Sequence, residues 1–101
     1  MGRILSKERS AKMIESEVEI INRLGLHARA AAKLVHLASG YRSNVTLSMN
    51  GEVVDAKSIL GILLLAAAQG SKLLLCCEGE DEKEAMEAIT ALIADRFDEE
   101  S

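Results

Sequence analysis

The sequence predicts an α/β (α+β) open-faced β-sandwich of order β-α-β-β-α-β-α, a four-stranded antiparallel sheet with three helices on one face. Three observations predict it. Two short stretches, 16–22 and 44–49, alternate apolar with polar residues, the period of half-buried strands. Two others, 28–39 and 81–97, space their apolar residues as one helix face requires. Asn50-Gly51 follows the stretch 44–49, a two-residue hairpin signal, and a hairpin pairs its strands antiparallel.

In chain order, residues 1–13 are polar, basic and unpatterned. They read as a flexible N-terminal extension to a folded domain over 14–101. Met13 stands directly before the patterned sequence and could be the original start. Residues 16–22 set Val18 and Ile20 against Glu17, Glu19 and Ile21, which is a strand by period. Residues 28–39 place Ala31, Leu34, Val35 and Ala38 on one helix face, and Ser39-Gly40 ends that helix. Val45, Leu47 and Met49 alternate with Thr46 and Ser48 over 44–49, and 52–55 is the return strand. Residues 57–68 look helical, but Gly61 interrupts them and they are apolar on almost every side. Gln69-Gly70 turns the chain into a strand over 72–77, with Leu73, Leu75 and Cys77 on one face. Residues 78–81 turn again and start a helix over 81–97, with acids in its first turn. Its apolar set is Ala85, Ala88, Ile89, Leu92 and Ile93, joined by Ala91 or Phe97.

Composition removes several function classes. A chain of 101 residues supplies one modest core. Tyr41 and Phe97 are its only aromatic side chains, so binding of nucleic acid by stacked bases is unsupported. Cys76 and Cys77 are adjacent, and no CxxC or nearby histidine completes a zinc site. In a strand they point to opposite faces, one to the core and one near the surface. Reduced thiols fit a cytoplasmic setting. The N-terminus has no apolar signal-peptide region, and the longest apolar run, 59–68, is too short to span a bilayer. Charge is uneven. Residues 20–77 carry six basic side chains against two acidic ones, whereas 78–101 carry ten acidic against two basic. The acidic tail reads as a solvated helix face, and the basic half suits an anionic group and acidic partner surfaces.

Chemistry concentrates at Gly25-Leu26-His27-Ala28-Arg29, where a loop runs into an alanine-rich helix. An imidazole is nucleophilic near neutral pH. A helix start offers free N–H groups and the positive end of a dipole to an anion. A guanidinium can bind phosphate oxygens as a fork. No Ser, Thr, Asp or Asn stands at 25–28, so the helix start lacks its usual side-chain cap, a place that a phosphate on His27 could fill. A lone histidine at a helix start is also an ordinary surface residue, and these residues by themselves leave both readings open.

This wording closely resembles the active-site motif of the HPr family, histidine phosphocarriers of the bacterial phosphotransferase system. A second stretch, Ala56-Lys57-Ser58-Ile59-Leu60-Gly61, is similar to the family's regulatory serine segment. Gln69-Gly70 and Glu78-Gly79-Glu80-Asp81 also stand at HPr-like places, so the resemblance covers about 13–97. It implies the same open-faced sandwich. His27 would be phosphorylated at the ring nitrogen nearer the backbone, and Arg29 would neutralise the phosphoryl group. Ser58 would be the target of a dedicated serine kinase and phosphorylase, besides being a favoured helix N-cap. Ala28, Ala32, Ile59, Leu60 and Leu63 would form the partner-docking patch, with Ile62 or Leu65 serving the core. Enzyme I would donate the phosphoryl group and an Enzyme IIA-type protein would receive it. No metal, cofactor, nucleic acid or membrane is implied, and a monomer is expected.

The chain also departs from the family pattern. Ala30 stands where proline is usual, Leu24 where a polar residue is common, and Ala66 where glycine is frequent. Leu74 and Cys76 make the second face of the last strand unusually apolar, as a binding surface or dimer contact would be. The words Asn-Arg-Leu-Gly-Leu-His are similar to the nitrogen-type regulatory branch. The alternative to a carrier is therefore a regulatory module that docks a transcription factor or kinase, and the presence of His27 favours the carrier. A small-ligand sensor of similar shape has no polar cluster to support it.

Overall fold

The computed structural model describes residues 13–101. Its elements are β1 (Met13–Glu19), α1 (Ala28–Ala38), β2 (Asn44–Met49), β3 (Glu52–Asp55), α2 (Ile59–Leu64), β4 (Lys72–Glu78) and α3 (Glu82–Ala94), then a 3₁₀ turn (Arg96–Asp98). The sheet order is β1-β4-β2-β3, with every neighbouring pair antiparallel. The last strand in sequence is thus inserted between β1 and β2. Its register sets Val18 opposite Leu73, and Cys77 between Ile14 and Val45. Val18, Val45, Leu47, Leu73, Leu75 and Cys77 are buried on this face, and α1 and α3 bring Ala30, Ala31, Leu34, Ala85, Ile89 and Ile93 onto it. Asn50 and Gly51 both take positive φ, 53° and 85°, as a type I′ hairpin turn requires. The opposite face is open, and there Leu74 and Val53 are exposed in register with Ser48 between them.

Element types follow the sequence reading, and three boundaries differ for physical reasons. The first strand spans Met13–Glu19 rather than 16–22. Ile14 and Ser16 continue the inward set of Val18 toward the N-terminus, and beyond the strand Asn22 turns its buried amide onto Gly25 O at 2.8 Å. Met13, read as the last residue of the extension, pairs with Glu78, while residues 1–12 lie outside the described residues. The middle helix is only Ile59–Leu64 rather than 57–68. Ala67 O accepts the N–H of Leu26 at 2.9 Å, a tertiary bond that a continuing helix would displace. Ala66 takes φ 51° to make that exit. Gly25 completes the crossing, because a Cβ there would lie 2.5 Å from Ala67 O. The last helix stops at Ala94 instead of running to 97, and Phe97 enters the core from the turn that follows, fully buried.

Asp81 opens α3 but does not cap it. Its carboxylate accepts from Arg42 N at 2.8 Å, Ser43 N at 2.9 Å and Ser43 Oγ at 2.5 Å, tying the start of α3 to the entry of β2. The Ser43 hydroxyl first, then the Arg42 and Ser43 N–H groups, pull its pKa from 3.8 down to about 2. An acid with a lowered folded pKa adds stability above its unfolded pKa, and that stability is lost as pH falls through the folded one. Wild type should therefore exceed Asp81→Asn in stability most clearly above pH 4, with the gap closing toward pH 2. Urea melts across this range check it, and a gap independent of pH would contradict it. Ala66→Gly should raise stability by about 0.5–1 kcal/mol, because glycine adopts the left-handed conformation without the Cβ clash. A thermal melt at or below that of wild type would show Ala66 to be unstrained.

Candidate functional site

The N-cap of α1 is His27 itself, with an extended backbone at φ −77° and ψ 179°. Its Nδ1 accepts the N–H of Arg29 at 3.3 Å. The helix start therefore has a side-chain partner after all. A histidine ring supplies it, in place of the missing Ser, Thr, Asp or Asn, and the bond is long enough to be readily exchanged for an anion. The backbone N–H can only donate, so Nδ1 carries a lone pair. The other nitrogen, Nε2, meets the Glu99 carboxylate. A carboxylate can only accept, so Nε2 carries the proton in the neutral ring. The two contacts together select one tautomer, which leaves the lone pair on Nδ1 at the positive end of a helix.

Glu99 arrives from the far end of the chain. Phe97 is buried, and its carbonyl accepts from Lys33 Nζ at 2.7 Å, which fastens the turn to α1. Arg96, Phe97 and Asp98 follow one another at φ 57°, 54° and 69°. That sequence reverses the chain after α3 and carries Glu99 back to His27. Asn22, fully buried, donates from Nδ2 to Glu99 Oε1 at 3.0 Å and to Gly25 O at 2.8 Å. Both acceptors lie on the nitrogen side, and Asn22 Oδ1 is left buried without a partner. Burial acts to raise the Glu99 pKa, but hydrogen bonds from His27 and Asn22 and the charges of His27 and Lys33 outweigh it, so the carboxyl is held below its usual range. A cleft of about 400 Å³ opens over the pair, lined by Arg23, Leu24, His27, Arg29, Glu99 and Glu100 among others.

His27 and Arg29 are thus brought to one cleft, as their spacing suggested. Ser58 caps α2, its Oγ accepting from Gly61 N at 3.1 Å. Ala28 and Ala32 are exposed one turn apart on α1, and Ile59 and Leu60 are exposed at the start of α2. Leu63 departs from the expected patch. It is half-buried and packs against the core, while Leu64 is 72 % exposed. The i, i+4 spacing from Leu60 was the signal for Leu64. Ile62 and Leu65 serve the core as expected. Asn22 and Glu99 were missed. Glu99 sits in an acidic run that reads as solvated surface, and no periodic pattern marks a residue placed by a left-handed turn. Among the described residues no cluster of His, Cys, Asp or Glu could hold a metal, and no helix is long and apolar enough to cross a membrane.

The family described as "PTS HPr component phosphorylation site" matches residues 14–95. The chain is 55% identical over 87 residues to phosphocarrier protein HPr of Cupriavidus necator, covering 86% of this chain and 98% of that protein. It is 51% identical over 89 residues to phosphocarrier protein HPr of Xylella fastidiosa strain Temecula1, covering 88% of this chain and 100% of that one. Among solved structures, the HPr-C-His of Thermoanaerobacter tengcongensis superposes with a TM-score of 0.84 at 43% identity, covering 87% of this chain and 99% of that one.

Proposed function

The chain belongs to the HPr family of phosphotransferase-system phosphocarriers, and we propose that it carries the phosphoryl group on Nδ1 of His27. The observation that carries this reading is the pair of contacts on the ring, which leave the lone pair on Nδ1 at the start of α1. In the transfer, the Nδ1 lone pair attacks phosphorus and a new N–P bond forms. The bond from phosphorus to the donor breaks, and its electron pair leaves with the donor atom. The incoming phosphoryl oxygens take over the Arg29 N–H, and the Arg29 side chain, exposed at the same cleft, balances their charge. Reversal of the same step hands the group to the acceptor. The protein is then a covalent intermediate in a relay and has no turnover of its own.

The donor in this reading is phosphorylated Enzyme I and the acceptor an Enzyme IIA-type protein, both in the cytoplasm. Both use one apolar surface in turn, made of Ala28, Ala32, Ile59, Leu60 and Leu64, so each complex is small and short-lived. The packing of α1 on α2 supports a common surface for these residues. Ser58 precedes Ile59 and Leu60 directly, so a phosphate placed there by a serine kinase would put charge at the edge of the patch. The protein acts as a monomer, and the folded domain begins near residue 14.

Incubation with Enzyme I and phosphoenolpyruvate should add one acid-labile phosphoryl group to wild type and none to His27→Ala. Arg29→Ala should still accept the group, roughly 10–100-fold more slowly, as loss of an electrostatic contact made in transfer requires. Labelling of His27→Ala by Enzyme I would move the acceptor elsewhere. Ser58→Asp should fold as wild type, since a carboxylate is favourable at a helix start. It should accept phosphate more slowly at low salt, with the deficit partly removed by added salt. Equal rates at low salt would reduce Ser58 to a helix cap.

A further inference from the structure

The contact between Glu99 and His27 extends the site beyond the family motif. We propose that Glu99 is a positioning residue for phosphoryl transfer, holding the proton of His27 on Nε2 so that Nδ1 stays free to attack. This rests on the reading of His27 as the phosphoryl acceptor.

Three observations carry the proposal. The first is the contact itself, with the carboxylate against Nε2 while Nδ1 faces an N–H donor. An imidazole can carry its single proton on either nitrogen. Only the form with Nε2–H presents a lone pair at Nδ1, and a carboxylate at Nε2 admits only that form. The second is that the carboxylate is itself held. Its other oxygen accepts from the buried Asn22 amide at 3.0 Å, and the same amide fixes the turn ahead of His27 through Gly25 O. Asn22 leaves its own Oδ1 unpaired in the interior to keep both bonds. The third is the delivery of Glu99 by a turn anchored at its middle residue, Phe97, whose ring is buried and whose carbonyl accepts from Lys33 Nζ. A solvated acidic tail would need none of these.

The same contact serves the phosphorylated state. When Nδ1 bonds to phosphorus the Nε2 proton stays in place, so the ring becomes cationic and the carboxylate pairs with it. When the group leaves, the N–P electron pair returns to Nδ1 and the neutral Nε2–H ring is restored. No proton has to move in either direction. This is how a carboxylate behind a catalytic histidine acts in other settings, orienting the ring and selecting its tautomer without taking the proton.

The test compares wild type, Glu99→Gln and Glu99→Ala in two measurements. Nitrogen-15 spectra of the His27 ring, recorded in neutral solution, should show one protonated nitrogen, Nε2, in wild type. Both variants should show the two tautomers mixed, since a glutamine amide can donate as well as accept and alanine does neither. The rate of phosphoryl transfer from Enzyme I should fall about tenfold or more in both. An unchanged transfer rate in both variants overturns the proposal, whatever the ring spectra show. An unchanged tautomer accompanied by slower transfer also overturns it, because Glu99 would then act by charge and not by positioning the proton. If wild type accepts no phosphoryl group at all, the reading of His27 fails first and this proposal with it.

Discussion

A histidine placed as a helix cap is the constraint on which the site depends. The backbone at His27 must be extended to start α1, and that conformation folds the imidazole back over the first turn, with Nδ1 toward Arg29 N. One ring nitrogen is thereby assigned to the helix end before any partner arrives. The rest of the fold supplies what this placement needs. Loop 22–26 is steadied by the Leu26 bond to Ala67 and by the close approach of Gly25 to the same carbonyl. The sheet order, with β4 between β1 and β2, puts the turn after α2 beside the end of β1, where Ile20 N–H bonds Ser71 O. The C-terminal turn then closes on the ring from the other side. Each of these contacts joins residues distant in sequence, so the site exists only in the folded chain.

Much of this was legible in the sequence because it depends on period and on short-range chemistry. The hairpin at Asn50-Gly51 needs two left-handed residues, and those two residue types tolerate that conformation. The alternation of Leu73, Leu75 and Cys77 is a consequence of strand geometry and identified the core face of β4. His27 and Arg29 could be paired as a site because two residues on one helix start share an end of the helix. What was not legible depends on long-range contacts. The early stop of α2 follows from a carbonyl claimed by Leu26, about forty residues away by its number, and local apolarity carries no sign of it. Leu63 is half-buried and Leu64 exposed because the helix is only six residues long, so its rotation is set by what Ile62 and Leu65 must bury. Glu99 looked like one more acid in a run of acids.

The charge pattern gains a sharper meaning from the fold. The basic half of the chain holds His27, and the acidic half returns a single carboxylate to it. That carboxylate meets the ring at Nε2, while Nδ1 faces the Arg29 N–H. Arg23 and Arg29 line the same cleft as Glu99 and Glu100.

The central claim is that Nδ1 of His27 is the atom that bears the phosphoryl group. Uniform nitrogen-15 labelling, phosphorylation by Enzyme I with phosphoenolpyruvate, and joint phosphorus and nitrogen NMR of the product test it directly. The account predicts a single phosphorus coupled to His27 Nδ1, with the proton retained on Nε2. A phosphorus on Nε2, on His36, or on a hydroxyl such as that of Ser58 would contradict it.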